Sequence, residues 1–213
     1  MPLNHSKKRD LDGRPAPINR VISFLTLSDV FSWSSFAVIN ALVGLYLANR
    51  FGQDAIKFIG IGIGINTLTR GIFEIPIGML TDRVKRDRDE IWLLFLGCFL
   101  MGLTYVLLPT IIDPSGYFAL MFLFGLGSAL NLNTWRKLFA KNVDKNKEGT
   151  QYGVYDTIIA FTAAIISFIS GYISSLNPEY FPYVIFFLGI LIMTGGLAAL
   201  GIFTVDRRKS FSV

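Results

Sequence analysis

Residues 73–87 read FEIPIGMLTDRVKRD and mark the place where a long apolar segment ends in a basic loop. Residues 55–80, which include the start of this stretch, are predominantly apolar, and a second apolar run follows over 91–112. A bilayer core requires about 20 apolar residues of helix, and lipid admits only helices or closed barrels. Because these runs are too long and continuous for barrel strands, we interpret both as transmembrane helices.

Working outward from this loop, further apolar segments of similar length extend in both directions. The complete set of predicted spans is 21–48, 55–80, 91–112, 116–139, 152–176 and 180–205, with polar tails at 1–20 and 206–213. The composition agrees, since 16% of the residues are charged, against about 25% in soluble proteins. The first apolar run is too long, and follows too long a polar tail, for a cleaved signal peptide. The sequence therefore predicts an all-α integral membrane protein.

The scarcity of metal-ligating and nucleophilic side chains excludes several kinds of chemistry. Cys98 is the only cysteine and His5 the only histidine. Disulfide frameworks, Cys/His metal sites and Ser-His-Asp triads are thereby excluded. We expect no metal, no cofactor and no enzymatic activity. Asn177-Pro178 is the only Asn-Pro pair, which argues against a water channel with paired Asn-Pro-Ala loops.

The basic residues lie almost entirely on one side of the predicted spans. Seventeen of the 20 lysines and arginines fall in the two tails, in the region between the second and third spans, and from the end of the fourth span to the start of the fifth. The positive-inside rule then predicts a multi-pass protein of the plasma (inner) membrane with both termini cytoplasmic. Topology accounts for the net charge of +5, so nucleic-acid binding is not needed to explain it.

Polar residues recur with a period of three helices. Spans 1 and 4 are rich in Ser, Asn and Trp, spans 2 and 5 carry isolated charges, and spans 3 and 6 are almost wholly apolar. Two successive three-helix units inserted in opposite orientations form an inverted repeat, as many transporters have. The alternative is that any six-helix bundle has inner and outer helices.

Three charges lie at similar depth in the first two predicted spans. Asp29 is about 12 Å and Glu74 about 9 Å from the basic side, and Arg70 is one turn deeper than Glu74. Two carboxylates facing one arginine leave one carboxylate unmatched, which predicts a titratable proton-coupling site. The alternative is a neutral ion cluster that pins span 1 to span 2. We expect the neighbouring cavity to be lined by polar and aromatic residues: Trp33, Phe36, Asn40, Asn66, Asn131, Trp135 and Asp156.

The basic loop that begins at Gly78 resembles the signature loop of the major facilitator superfamily, Gly-x-Leu-(Ala)-Asp-Arg-x-Gly-Arg-basic. The matching residues are Gly78, Leu80, Asp82, Arg83 and Arg86, whereas Lys85 and Asp87 depart from the pattern. The resemblance implies that the chain is one six-helix half of the family fold. It also implies that Asp82 helps to close the cytoplasmic side against the other half, with Arg136 available to hold it. A generic basic loop is the alternative.

The same resemblance implies a transporter of a small organic solute that works by rocking of two halves and is coupled to protons. The second half would be another copy of this chain, because family members usually have twelve helices. Small residues on spans 2 and 5 suit such a dimer contact: Gly60, Gly64, Ala163, Ser167, Gly171 and Ser175. Packing within one chain is the alternative for these residues. A membrane assembly or regulatory subunit paired with another six-helix protein is the alternative function. Whether the chain is a complete half or part of a longer protein is left open.

Overall fold

The computed structural model describes residues 19–83 and 87–209, which form long helices joined by short turns. The helices are α1 (Arg20–Phe51), α2 (Ala55–Arg83), α3 (Asp87–Leu107), α4 (Pro114–Asn142), α5 (Glu148–Leu176), α6 (Phe181–Leu200) and the short α7 (Ile202–Lys209). The last predicted span, 180–205, is therefore divided at Gly201. Arg86 and most of the predicted N-terminal tail lie outside the described residues.

Five stretches of the described chain are long and apolar enough to cross a membrane. The first, Arg20–Arg83, contains both α1 and α2, which are joined by a single 3-10 turn at Gly52–Asp54. The other four stretches contain α3, α4, α5 and α6. The prediction of an all-helical, multi-pass membrane protein is confirmed at this level.

The helices pack in the spatial order α2, α4, α3, α6, α1, α5. Helices α3 and α6 lie at the centre of this row, α4 and α1 flank them, and α2 and α5 form its two ends. The end helices bury little. On α5, only Ser170 and Ser174 are fully buried among the described residues, and large apolar side chains such as Phe168 are exposed.

Glycines allow the central helices to approach one another closely. A Cβ atom on Gly97 of α3 would lie 2.6 Å from the backbone nitrogen of Asn131 on α4. A Cβ atom on Gly102 of α3 would lie 2.5 Å from the carbonyl oxygen of Gly189 on α6. Small residues at helix contacts are the usual way to bring backbones together in lipid, where apolar burial alone gives no driving force. The middle of the row is therefore held by backbone contact.

We predict that Gly102→Ala destabilises the protein by about 1–3 kcal/mol, because the added methyl group forces α3 away from α6. Cys98, which is buried, provides the measurement, since a thiol-reactive dye labels it only when the helices separate on heating. Gly44→Ala on α1 is the matched control, because its added Cβ meets no atom within 4 Å. Equal labelling temperatures for the two variants would contradict the prediction.

Candidate functional site

Asp29 of α1 is buried, and its carboxylate accepts hydrogen bonds from donors on two helices, α1 and α5. Its side chain is 1% exposed. The Tyr155 hydroxyl of α5 donates to Oδ2 at 2.7 Å, and Ser32 Oγ lies 3.4 Å from Oδ1. Within the described residues, no lysine or arginine forms an ion pair with Asp29. The Asp29 site, defined here as Asp29, Ser32 and Tyr155, thus contains one titratable acid in a neutral hydrogen-bonding environment.

A groove of about 560 Å³ leads toward this site between α1 and α5. It lies at the end of the bundle where α1 and α5 begin, and its lining includes Thr26, Val30, Gln151 and Tyr155. Tyr155 therefore has two faces, one in the groove and one, through its hydroxyl, on the Asp29 carboxylate. Aromatic rings of α4 cover the other side of Tyr155, with the Trp135 ring centroid 4.7 Å away.

A second buried polar chain joins α1, α3 and α4 beside the Asp29 site. Trp33 Nε1 donates to Asn131 Oδ1 at 2.9 Å, and Asn131 Nδ2 donates to Cys98 Sγ at 3.1 Å. Ser28 Oγ completes the chain at 3.8 Å from the same sulfur. All of these polar atoms have partners, so the chain stabilises the contact of three helices.

The structure does not bring Arg70 and Glu74 to Asp29. The Glu74 carboxylate of α2 forms an ion pair with Arg136 of α4, with 3.1 Å between Oε1 and NH1. Within the described residues, Arg70 makes no ion pair or hydrogen bond. The predicted three-charge cluster is therefore wrong in its geometry. The physical reason is that α2 packs chiefly against α4, whereas Asp29 faces α5.

The predicted partner of Asp82 is also corrected. Arg136 pairs with Glu74, and it is Lys137, the next residue along α4, that lies 3.6 Å from Asp82 Oδ1. Lys137 Nζ also lies 2.9 Å from Oε1 of the fully buried Glu90 and donates to the carbonyl oxygen of Thr81. Successive residues on a helix point about 100° apart, so Arg136 reaches Glu74 of α2 whereas Lys137 reaches Asp82 and Glu90.

Glu90 is the centre of a charge cluster that sequence reasoning missed. Lys141 Nζ lies 3.0 Å from Glu90 Oε1, so two lysines of α4 hold this one carboxylate at the start of α3. A signal was present in the sequence, because Asn133, Lys137 and Lys141 are spaced by four and share one face of α4. Asn133 Nδ2 donates to the Glu74 carbonyl oxygen at 3.0 Å, which continues the contact along α2.

The other motif residues lie at the end of α2 with little packing around them. Leu80, Asp82 and Arg83 are exposed, and Gly78 lies near Asn133, whose Oδ1 would be 3.9 Å from an added Cβ. Arg86 lies outside the described residues. Asp82 is thus largely exposed apart from its contact with Lys137 of α4, and Arg83 is exposed as well.

The residues predicted to line a cavity divide into two groups. Asn40 and Asp156 are exposed, and Trp33, Phe36 and Asn66 are partly buried. Asn131 and Trp135, by contrast, lie in the core. The prediction that these two contact a solute is corrected. Asn131 is fully occupied by Trp33 and Cys98, and Trp135 donates to the Leu25 carbonyl oxygen at 3.3 Å.

The small residues predicted for a dimer contact are not used for close packing within the chain. An added Cβ on Gly60, Gly64 or Gly171 would meet no atom within 4 Å. Ser167 and Ser175 are exposed, and Ala163 is partly buried. Gly62 of α2 differs from these residues because it is closely packed within the chain: an added Cβ would lie 2.4 Å from the Tyr117 ring.

The sequence profile of the Major Facilitator Superfamily matches residues 22–211. This match covers most of the chain and agrees with the signature loop at the end of α2. The protein belongs to the major facilitator superfamily, and it is therefore a membrane transporter by family. Neither a curated protein nor a solved structure matches the chain significantly. In the described part of the chain, no group of three His, Cys, Asp or Glu side chains could hold a metal ion.

We predict that Lys137→Ala destabilises the fold, because it removes one of the two cations that neutralise buried Glu90. Breaking a buried ion pair typically costs about 3–5 kcal/mol, and the remaining contact with Lys141 should keep the loss at or below the low end of that range. Asp82→Asn should change stability by less than about 1 kcal/mol, since its carboxylate is mostly exposed.

Thermal labelling of Cys98 measures both variants, and Lys145→Ala in the exposed α4–α5 loop is the control for loss of one positive charge. If Lys137→Ala and Lys145→Ala unfold at the same temperature, the pair with Glu90 contributes nothing to stability.

Proposed function

We propose that the protein is a half-size secondary transporter, in which two copies enclose a central cavity and move a small organic solute by alternating access. The observation that carries the proposal is that the outer sides of both end helices, α2 and α5, are uncovered in a chain that belongs to a transporter family. Helices α2 and α5 expose small residues that the chain itself leaves uncovered. A second six-helix half placed against them completes a twelve-helix arrangement.

The packing order supports an inverted repeat of two three-helix units. If α1 is exchanged with α4, α2 with α5 and α3 with α6, the order α2, α4, α3, α6, α1, α5 becomes its own reverse. Such an order is expected when two similar units are related by a two-fold axis in the membrane plane. We therefore propose six transmembrane helices, with the continuous stretch Arg20–Arg83 crossing the bilayer twice.

Each end helix carries two distinct outward faces. On α2, five small residues fall within an arc of about 60°: Gly60, Gly64, Thr67, Gly71 and Gly78. On α5, the corresponding arc holds Gly153, Ala160, Ala164, Ser167 and Gly171. A separate arc about a quarter turn further on holds large apolar side chains, such as Leu68 on α2 and Phe168 on α5. The large faces suit lipid, and the small faces suit contact with another helix.

Proton coupling is assigned to Asp29 alone. Its carboxylate is buried, and its closest hydrogen-bond donor is a hydroxyl on a different helix, α5. The groove between α1 and α5 supplies a path from the basic end of the bundle to Tyr155. Since neither Arg70 nor Glu74 contacts Asp29, the tuning role that the sequence suggested for them is not part of this proposal.

The solute is expected to contact the partly exposed aromatic and amide side chains of α1. Trp33 and Phe36 pack edge to face, with ring centroids 5.4 Å apart, and Asn40 follows one turn later along the helix. Aromatic rings with an adjacent amide suit a small organic molecule that has both apolar and hydrogen-bonding parts. The basic end of the bundle is placed in the cytoplasm of a plasma-membrane protein by the positive-inside rule.

We predict that Ser167→Leu combined with Gly171→Leu separates the dimer without unfolding the chain. Both positions are exposed, so the added side chains meet nothing in their own subunit but prevent close approach of a second helix. The mass of the particle in lipid nanodiscs measures association, and a two-copy wild type should become a one-copy variant.

Phe168→Leu is the control for this experiment, because it changes the large apolar face instead. A wild-type particle of one copy that transports alone would contradict the homodimer. A particle that contains one copy and a different six-helix protein would favour the alternative of a paired subunit.

We predict that Asp29→Asn abolishes solute-driven proton movement while solute-for-solute exchange persists. Asparagine retains an oxygen that accepts from Tyr155, but it carries no titratable proton. The protein is reconstituted into vesicles that contain a trapped pH-sensitive dye. Sugars, amino acids, organic acids and cationic dyes are then added one at a time. At least one of these compounds should move protons in the wild type.

Glu179→Gln, at an exposed turn, controls for the loss of an acid, and labelling of Cys98 on heating verifies that each variant is folded. Proton movement at the wild-type rate in Asp29→Asn would show that Asp29 is structural.

A further inference from the structure

Arg70 is an intramembrane cation that has no counter-ion among the described residues. It lies 13 residues before the end of α2 at Arg83, or about 20 Å from that end of the helix. It is partly exposed, and within the described residues it forms no ion pair or hydrogen bond. Charges in transmembrane helices nearly always face a partner or a water-filled cavity. Arg70 therefore indicates an anionic group outside its own chain.

Asp156 of α5 is the matching intramembrane anion. It lies eight residues after the start of α5 at Glu148, or about 12 Å from the basic end. Its side chain is exposed, and no hydrogen bond or ion pair within the described residues reaches it. The two unpaired charges thus have opposite signs and lie on the two end helices of the row.

Both charges occupy the same position relative to the faces of their helices. At about 100° per residue, Arg70 lies between the side of α2 that packs on α4 and the small-residue face of α2. Asp156 lies likewise between the side of α5 that packs on α1 and the small-residue face of α5. When the small face of one helix meets that of the other, both charges come to the same edge of the contact.

These charges do not meet within one chain. Helix α2 packs chiefly against α4 and α5 chiefly against α1, at opposite ends of the row. Since the two helices run in opposite directions, α2 of one copy can lie antiparallel to α5 of another copy with both basic ends on the same side. A two-fold axis along the membrane normal then produces this contact twice.

We propose that Arg70 of each copy forms an ion pair with Asp156 of the partner subunit, at both α2–α5 seams of the homodimer. This inference rests on the homodimer of the proposed function and adds its charge pairing. The distances of Arg70 and Asp156 from the basic end of the bundle differ by about 8 Å along the helix axes. The long arginine side chain spans most of this difference. Asp156 thereby has an inter-subunit role rather than the solute contact that the sequence suggested.

The test uses two chains with complementary charge reversals, Arg70→Asp in one and Asp156→Arg in the other, each with its own affinity tag. Either chain alone places like charges at both seams and should lose self-association in nanodiscs. Co-expressed, the two chains place opposite charges at both seams, and they should associate with each other in preference to themselves. A pair formed within one chain could not be restored in this way.

Cross-linking tests the proximity with gentler substitutions in a Cys98→Ser background. Arg70→Cys and Asp156→Cys on separately tagged chains should be joined by a thiol reagent about 10 Å long, which covers the axial offset of about 8 Å between the two positions. Leu68→Cys with Asp156→Cys is the matched control, because Leu68 lies on the large apolar face of α2. This control pair should remain unlinked.

The outcomes separate this inference from the proposed function. Two wild-type copies per particle, with no preference for the mixed charges and no cross-link at 70–156, would overturn the ion pair and leave the homodimer standing. A wild type with one copy per particle would overturn both. Selective mixed association together with the 70–156 cross-link supports the pairing.

Discussion

Hydrocarbon offers no hydrogen-bond partner, and this constraint decides where each polar side chain of the bundle can lie. Several hydroxyl groups are satisfied within their own helix, as Thr104 is by donating to the Leu100 carbonyl oxygen one turn earlier. Amide and carboxyl groups require partners from other helices, and Asn131 and Asp29 obtain them in the core. Arg70 and Asp156 have neither solution within the described chain, so any group that solvates them, water included, lies outside the described residues.

The way in which the helices are attached differs between the centre of the row and its α5 end. Helices α3, α4 and α6 meet through backbone atoms at glycines, and such contacts leave no room for gradual adjustment. Helix α5, in contrast, is bonded to α1 through side chains, from Ser34 to the Ile159 carbonyl oxygen and from Tyr155 to Asp29. In the proposed mechanism, the proton carrier therefore lies between the helices packed through backbone contact and the helix attached through side chains.

The positions of the helices could be predicted because a membrane span is a one-dimensional signal of about 20 apolar residues. Helices α1, α2, α4 and α5 begin and end within four residues of the predicted spans. Contacts between helices are different, since Asp29 and Tyr155 are 126 residues apart and nothing in their spacing pairs them. The wrong choice of Arg136 instead of Lys137 as the partner of Asp82 has the same origin. Two adjacent cations are equivalent in sequence, and only the rotation of α4 decides which one reaches Asp82 and Glu90.

Two-fold symmetry places a constraint on coupling in any homodimer of this chain. Both copies insert in the same orientation, so the axis runs along the membrane normal and through the shared cavity. The proton carrier Asp29 then occurs twice, so a cavity that holds one solute has two Asp29 carboxyl groups. A solute without two-fold symmetry contacts the two copies differently, so binding itself makes the two carboxyls inequivalent. In the proposed mechanism, the proton is then released from whichever Tyr155–Asp29 pair the bound solute disturbs more, without requiring any difference between the two chains.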